Sequence, residues 1–195
     1  MQVAEIELKF AVEDPVPFRY SALRAGFQLV TERSLETNTL YDTSDRQLRA
    51  KKQILRLREY NGHHVLTHKR TAAPSELDAR FKTRVETETM LEDSEAMAEV
   101  FLQLGYGPVF RYEKFRTEFS SGAGHLVLDE TPIGVWAELE GAPEWIDAML
   151  ERLQVGREQC STDSYGKLFE RWKTETGSDA LNLTFEEVQA EVLVP

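Results

Sequence analysis

Acidic and basic residues recur two apart along this chain. Glu5 and Glu7, Glu86 and Glu88, and Glu138 and Glu140 form E-x-E pairs, Arg56 and Arg58 form R-x-R, Lys114 and Arg116 form K-x-R, and Glu5 to Lys9 reads E-x-E-x-K. Residues two apart on a β-strand share a face, so each pair presents two like groups in one direction. Paired carboxylates suit hard divalent cations such as Mg²⁺ or Mn²⁺. Clustered Lys and Arg suit phosphate oxygens, through charge-assisted hydrogen bonds. Together they are the parts of phosphoryl-transfer chemistry, which rests on positioning and electrostatics. Any single pair is better read as a solvated strand face carrying cross-strand ion pairs. Their recurrence on several strands, with arginine doublets, points to a sheet whose charged face turns inward, where charges must be paired or hold ligands.

The elements that must position these groups are legible from period and punctuation. Residues 3–10 alternate, with Ile6, Leu8 and Phe10 opposite Glu5, Glu7 and Lys9, which predicts a half-buried strand. Asp14 and the following prolines predict a helix start, with Phe18, Ala22 and Leu23 inward and Gly26 as the stop. Asn38–Thr43 reads as a short strand, and Ser44–Gln53 as a polar connector.

Asn61-Gly62 between LRLREY and HHVLTHKR predicts a two-residue type I′ hairpin. Its register sets Arg58 opposite Val65, Arg56 opposite Thr67 and Ile54 opposite Lys69, so Arg56, Arg58 and Lys69 share a face. After a loop at Thr71–Asp78, Arg80, Lys82, Arg84, Glu86 and Glu88 share a strand face. Asp93 or Ser94 then caps a helix with Met97, Val100, Phe101 and Leu104 on its stripe. Residues 111–119 and 125–130 form a second hairpin around SSGAG. A four-residue loop there pairs Arg116 with Asp129; an odd loop turns Asp129 to the apolar face. VWAELEG is a further strand, followed by helices striped with Trp145, Ile146, Met149, Leu150 and Leu153, then with Tyr165, Leu168, Phe169 and Trp172. Thr184 with Glu187 matches a capping box opening a last helix. About eight antiparallel strands and five helices make an α+β domain built on a large antiparallel sheet or barrel.

Composition narrows the partners. The 195 residues hold 34 acidic against 23 basic side chains, a net charge of −11, which disfavours nucleic acid or an anionic membrane as a partner. The charged strand faces are themselves balanced. Glu5, Glu7, Glu86, Glu88, Asp129, Glu138 and Glu140 meet Lys9, Arg56, Arg58, Lys69, Arg84, Lys114 and Arg116. One cysteine, Cys160, excludes an internal disulfide and a multi-cysteine zinc site. The four histidines lack helical ligand spacing, and Gly122-Ala123-Gly124 lacks the Gly-Lys-Ser/Thr of a phosphate-binding loop. MQVAEIELKF has neither the basic nor the apolar region of a secretory signal, and no apolar run is long enough to span a membrane, so a cytoplasmic protein is expected.

The ordered set EIELK, LYDT, LRLR, LTHKR, RVETE, YEKFR, LVLDE, AELE and SYGKLF resembles the CYTH superfamily, the triphosphate tunnel metalloenzymes, over roughly residues 3–170. The resemblance implies an eight-stranded antiparallel β-barrel with a charged interior, surrounded by helices, over residues 1–173. Residues 174–195 match nothing in the family and read as a loop and amphipathic helix packed on the domain. Two Mg²⁺ or Mn²⁺ ions per site are implied, held by Glu5, Glu7, Asp129, Glu138 and Glu140. Lys9, Arg56, Arg58, Lys69, Lys114 and Arg116 would clamp a triphosphate. Arg84 would touch phosphate, while Glu86 and Glu88 orient bases or waters. Lys9 is a candidate base. Lys167 is a further candidate clamp, equally readable as a solvated helix lysine. Tyr41 and Asp42 fall near the tunnel mouth.

The implied reaction is hydrolysis of inorganic triphosphate, thiamine triphosphate or a nucleotide. The alternative is class IV adenylyl cyclase chemistry, converting ATP to cyclic AMP and pyrophosphate; the segment from Glu88 to Lys114 is similar to the cyclase-related bacterial subgroup. Hydrolysis demands less, since no adenine pocket is needed. A polyphosphate- or nucleotide-binding module without turnover is a third reading. Either a monomer or a homodimer is compatible with the sequence.

Overall fold

The computed structural model of the chain describes residues 2–72 and 80–192. Eight strands close into an antiparallel barrel: β1 (Gln2–Val12), β2 (Gln28–Asp42), β3 (Ile54–Tyr60), β4 (His63–Thr71), β5 (Lys82–Leu91), β6 (Gly107–Ser121), β7 (Gly124–Thr131) and β8 (Gly134–Glu140). Their spatial order is β5-β4-β3-β2-β6-β7-β8-β1, and β1 pairs back onto β5 to close the ring. A short β9 (Cys160–Ser161) adds to β1 at Lys9 and Phe10, continuing the edge that β5 leaves after Glu7. The expected α+β barrel is therefore what the chain forms.

Two turns fix the registers that matter. Asn61 and Gly62 both hold positive φ, 51° and 74°, as a type I′ turn requires, and the ladder sets Arg58 opposite Val65, Arg56 opposite Thr67 and Ile54 opposite Lys69. The second hairpin is tighter than expected. Its ladder runs to Ser121 opposite Gly124, leaving a two-residue turn with Gly122 at φ 61°. Two residues and four are both even, so Arg116 still faces Asp129.

Alternation then sorts the side chains. Leu8, Phe10, Phe119, Leu126, Leu128, Ala137 and Leu139 point outward into a core closed by α1 (Pro15–Arg24) and α4 (Pro143–Leu153), through Ala22, Ile146, Met149 and Leu150. Outside the opposite wall, Tyr41 and Leu57 pack on Phe101 of α3 (Ser94–Gln103). The third cluster joins Phe110, Tyr112 and Trp136, which sit on the inward-facing rows of β6 and β8, to Tyr165, Leu168 and Phe169 of α5 (Tyr165–Thr176). The segment after α5 docks on the edge of β6 that β7 does not cover. Leu183 donates to Arg111 and accepts from Glu113, and α6 (Phe185–Val192) follows. Thr184 caps that helix through the Glu187 amide, but the Glu187 carboxylate accepts from Leu181 and Asn182, so no reciprocal box forms.

Three expectations fail locally. β2 starts ten residues before Asn38, because register shifts between Leu29 and Thr31 and between Thr31 and Ser34 erase its alternation. Within the connector, α2 (Gln47–Ala50) is helical. Leu23, Val100 and Leu104 are exposed at 47, 48 and 67%, since a ten-residue helix lying on a barrel buries only its innermost turn. The expected loop at Thr71–Asp78 lies mostly outside the described residues. Among them, no helix is long and apolar enough to cross a membrane.

Candidate active site

The barrel interior follows from the pairings alone. Lys9 faces Glu138, Glu7 faces both Lys82 and Glu140, Arg116 faces Asp129, Lys114 faces Glu36, and Lys69 faces Glu86. These residues all share the inward parity, opposite the apolar positions named above. They enclose a cavity of about 260 Å³ lined by Glu5, Glu7, Lys9, Arg56, Arg58, Lys69, Lys82, Glu86, Glu88, Lys114, Arg116, Glu138 and Glu140, with Leu40, Ile54, Phe110 and Tyr112 on one side. Residues from all eight strands, β7 through Val127, meet there with the start of α5.

Among the described charged residues lining the cavity, all but Glu140 are paired. Lys9 bonds Glu138, Lys69 bonds Glu86 and lies 3.1 Å from Glu5, and Lys82 bonds Glu7. Arg56 donates to Tyr112 and Thr67, and with Arg58 approaches Glu88 at 3.4 and 3.8 Å. Glu88 also accepts from Thr67 at 2.6 Å. Deeper in the wall, Arg116 grips Asp129 with two 2.7 Å bonds, Lys114 reaches the same carboxylate at 2.8 Å, and the Tyr165 hydroxyl donates to it at 2.7 Å. The ammonium groups of Lys9 and Lys114 sit 3.9 and 4.9 Å from the Tyr165 ring centroid, within cation–π range.

This crowding moves protonation equilibria. Burial, only partly offset by Glu7 and Asp129, brings Lys9 down to about 7. Burial and then Arg56 bring Lys69 to about 8, against the pull of Glu5. For Glu5, burial is outweighed by Lys69, Lys82 and Arg56, so its carboxyl falls below the usual range. Glu140 is shifted the other way, by the surrounding protein and then by the like charges of Glu5 and Glu7. Burial would raise Glu36, but Lys114 and Arg116 hold it at about 2.

Most of the residues picked from sequence converge here; five do not. Asp129 is fully buried, with both oxygens taken by Lys114, Arg116 and Tyr165, so it backs the basic wall and offers no open ligand position. Arg84 shares the inward parity but donates to Thr71 and to the Lys52 carbonyl, away from the cavity lining. Lys167 stands 73% exposed on α5, paired with Asp163. Tyr41 packs on Phe101, and Asp42 accepts the amides of Thr43, Leu48 and Arg49, so both serve the fold. The structure adds Lys82, whose parity already marked it, and Glu36, hidden because its part of β2 does not read as a strand. It also adds Tyr112, Thr67 and Tyr165, which carry no charge to betray an inward role.

The fit to a divalent cation rests on the acids. Glu7 lies directly opposite Glu140, a like-charge cross-strand pair that is destabilising unless a cation stands between them. Glu5 stands two residues away on the same face, and carboxylate oxygens suit Mg²⁺ or Mn²⁺. Among the described residues no three such side chains form a ready-made cage; Lys69 and Lys82 hold Glu5 and Glu7 instead.

Known proteins share this architecture. A protein of Methanocaldococcus jannaschii, provisionally named an adenylate cyclase, is 26% identical over 137 residues, covering 70% of this chain and 75% of its own. The solved structure of a Vibrio parahaemolyticus protein, also provisionally named an adenylate cyclase, superposes with a TM-score of 0.72 at 20% identity, over 85% of this chain and 97% of that one. A provisionally named adenylyl cyclase from Hippeastrum, described as having a dominant triphosphatase activity, superposes with a TM-score of 0.58 at 20% identity, over 88% of this chain and 96% of that one. The CYTH domain model matches residues 4–142, which hold all eight barrel strands except the first two residues of β1. The chain belongs to the CYTH domain family.

Proposed function

We propose that this protein is a divalent-metal-dependent triphosphatase that hydrolyses an inorganic or organic triphosphate and releases phosphate. The observation that carries the reading is the Glu7–Glu140 opposition inside a cavity lined by six acidic and seven basic side chains. Such an interior calls for cations on one wall and a polyanion along the other. Glu5, Glu7, Glu138 and Glu140 would hold Mg²⁺ or Mn²⁺, which supplies charge neutralisation at the phosphates and activates water. Arg56, Arg58, Lys69, Lys114 and Arg116 bind phosphate oxygens and hold the chain of phosphates extended. Lys9, brought to about 7, gives or takes a proton near neutral pH at its Nζ. Glu86 and Glu88 keep Lys69, Arg56 and Arg58 aimed into the cavity.

The Hippeastrum relative's triphosphatase activity supports hydrolysis. Cyclisation of ATP is the second reading, favoured by the name of the Methanocaldococcus relative. Incubation with ATP, thiamine triphosphate or inorganic triphosphate plus Mg²⁺ or Mn²⁺, with product identification, separates them. Orthophosphate is expected; cyclic AMP with pyrophosphate would overturn hydrolysis, and tight binding without product would leave only a binding module. Glu7→Gln is expected to lower turnover on the order of 100-fold or more while preserving the β-sheet circular dichroism. Wild-type turnover in that variant sinks the metal assignment.

A further inference from the structure

The strand that carries Lys114 and Arg116 is bracketed in register by two carboxylates. Asp129 faces Arg116 from β7, and Glu36 faces Lys114 from β2; both acids are 0% exposed. Lys114 Nζ lies 2.8 Å from Asp129 and 3.3 Å from Glu36, while Arg116 Nε lies 3.7 Å from the second Glu36 oxygen. Two acids and two bases therefore form a block with no net charge, set into one wall of the cavity. Glu36 is held by more than its ionic partners. Its Oε1 accepts the Asn38 amide at 2.9 Å, and its Oε2 has no hydrogen-bond partner among the described residues.

A buried carboxylate with an unfilled acceptor is costly. Asp129 alone already gives both Arg116 and Lys114 a short contact. Pairing therefore does not account for a second buried acid. Its remaining effects are on charge and aim: it cancels the second positive charge of the block and tethers Lys114 from the side opposite Asp129.

We propose that Glu36 is a positioning and charge-balancing residue, which aims Lys114 into the cavity and sets how tightly the basic wall grips a polyanion. The proposal rests on the triphosphate reading above. With Glu36 ionised, the block attracts a polyanion through geometry and not through net charge. Without that charge the block becomes net positive, which tightens the ground state. Lys114 meanwhile loses one of its two anchors, which weakens alignment in the transition state. Tighter ground-state binding with poorer alignment lowers KM and kcat together.

The test is titration calorimetry of inorganic triphosphate into wild type and Glu36→Gln at fixed Mg²⁺, alongside steady-state kinetics. Glutamine keeps the shape and the Asn38 contact but not the charge. Binding tighter by at least about tenfold is expected, since one unit charge at roughly 12 Å already supplies that factor at an effective dielectric near 20. That gain should shrink with added salt, and kcat should fall several-fold. A merely structural role would lower the melting temperature and kcat without tightening binding, and that outcome overturns the proposal. Absence of triphosphate binding in wild type would instead overturn the functional reading itself. Should Glu36→Gln not fold, Asp129→Asn removes the block's other charge and carries the same expectation; weaker or unchanged binding there counts against the proposal.

Discussion

Glu36 and Asp129 are buried without compensating solvent, so their charged forms are held in the folded state chiefly by Lys114 and Arg116, with Asn38 and Tyr165 as further donors. This has a consequence for acid stability. Lys114 and Arg116 hold Glu36 at about 2 in spite of burial, against an ordinary value of 4.5, so the unfolded chain takes up a proton first as pH falls. A depressed carboxylate stabilises the fold fully above the unfolded value, and that contribution is lost as pH drops from about 4.5 towards about 2. Linkage over that interval amounts to roughly 3 kcal/mol. Melting temperature followed from pH 6 to pH 2.5 should therefore fall less steeply in Glu36→Gln than in wild type. Parallel curves would show that Glu36 carries no such charge in the native protein. At the same scale, Tyr165→Phe removes a hydroxyl that donates to a buried carboxylate at 2.7 Å. A loss of about 1.5–3 kcal/mol is expected, because hydrogen bonds to charged groups are the stronger kind, and urea unfolding measures it.

Among the elements, the segment from Ser178 to Val188 has the least obvious task and the clearest test. β7 covers only Phe115–Ser121 of β6, so the stretch around Tyr112 would be an open edge if Leu183 did not bridge to it. Open edges invite pairing with other chains. Leu183 is also fully buried, in the cluster with Tyr165, Phe169 and Val188. Leu183→Ala should cost about 2–4 kcal/mol through lost burial and a residual cavity. For a chain of this size that lowers the melting temperature by roughly 5–15 °C, with aggregation on heating. An unchanged melting temperature would mean that the segment does not seal the edge.

The same element scale explains what the sequence could and could not disclose. Strands with strict alternation and a turn fixed by residue type were legible to the exact partner, as with Arg56 opposite Thr67 across Asn61-Gly62. Where bulges break the alternation, as in β2, period reading fails, and Glu36 was lost with it. Arg84 and Asp129 have the right parity but the wrong depth. Parity is a property of one strand, whereas reaching the cavity depends on neighbours such as Thr71, Lys52 and Tyr165.

At the scale of the whole molecule, the net charge of −11 and the proposed polyanion-binding interior are compatible because the barrel separates them. Its lining carries six acids and seven bases, counting Glu5, Glu7, Glu86, Glu88, Glu138 and Glu140 against Lys9, Arg56, Arg58, Lys69, Lys82, Lys114 and Arg116. Ion pairs between strands, such as Lys82 on β5 with Glu7 on the neighbouring β1 and Lys69 on β4 with Glu5 on β1, therefore hold these groups against one another. A triphosphate and a divalent cation would exchange those pairs, base to phosphate and acid to metal, and neither exchange is favourable alone. Phosphate binding alone strands Glu5 and Glu7 without their lysines, and metal binding alone strands the lysines. Ligand stabilisation should accordingly be cooperative. Mg²⁺ or inorganic triphosphate singly should move the melting temperature little, whereas both together at 100 times the dissociation constant should add about 2.7 kcal/mol, or roughly 5–10 °C. Chelation of the metal should reverse the shift. Equal stabilisation by triphosphate with and without metal would show that the acids keep their lysines and that the two walls act independently.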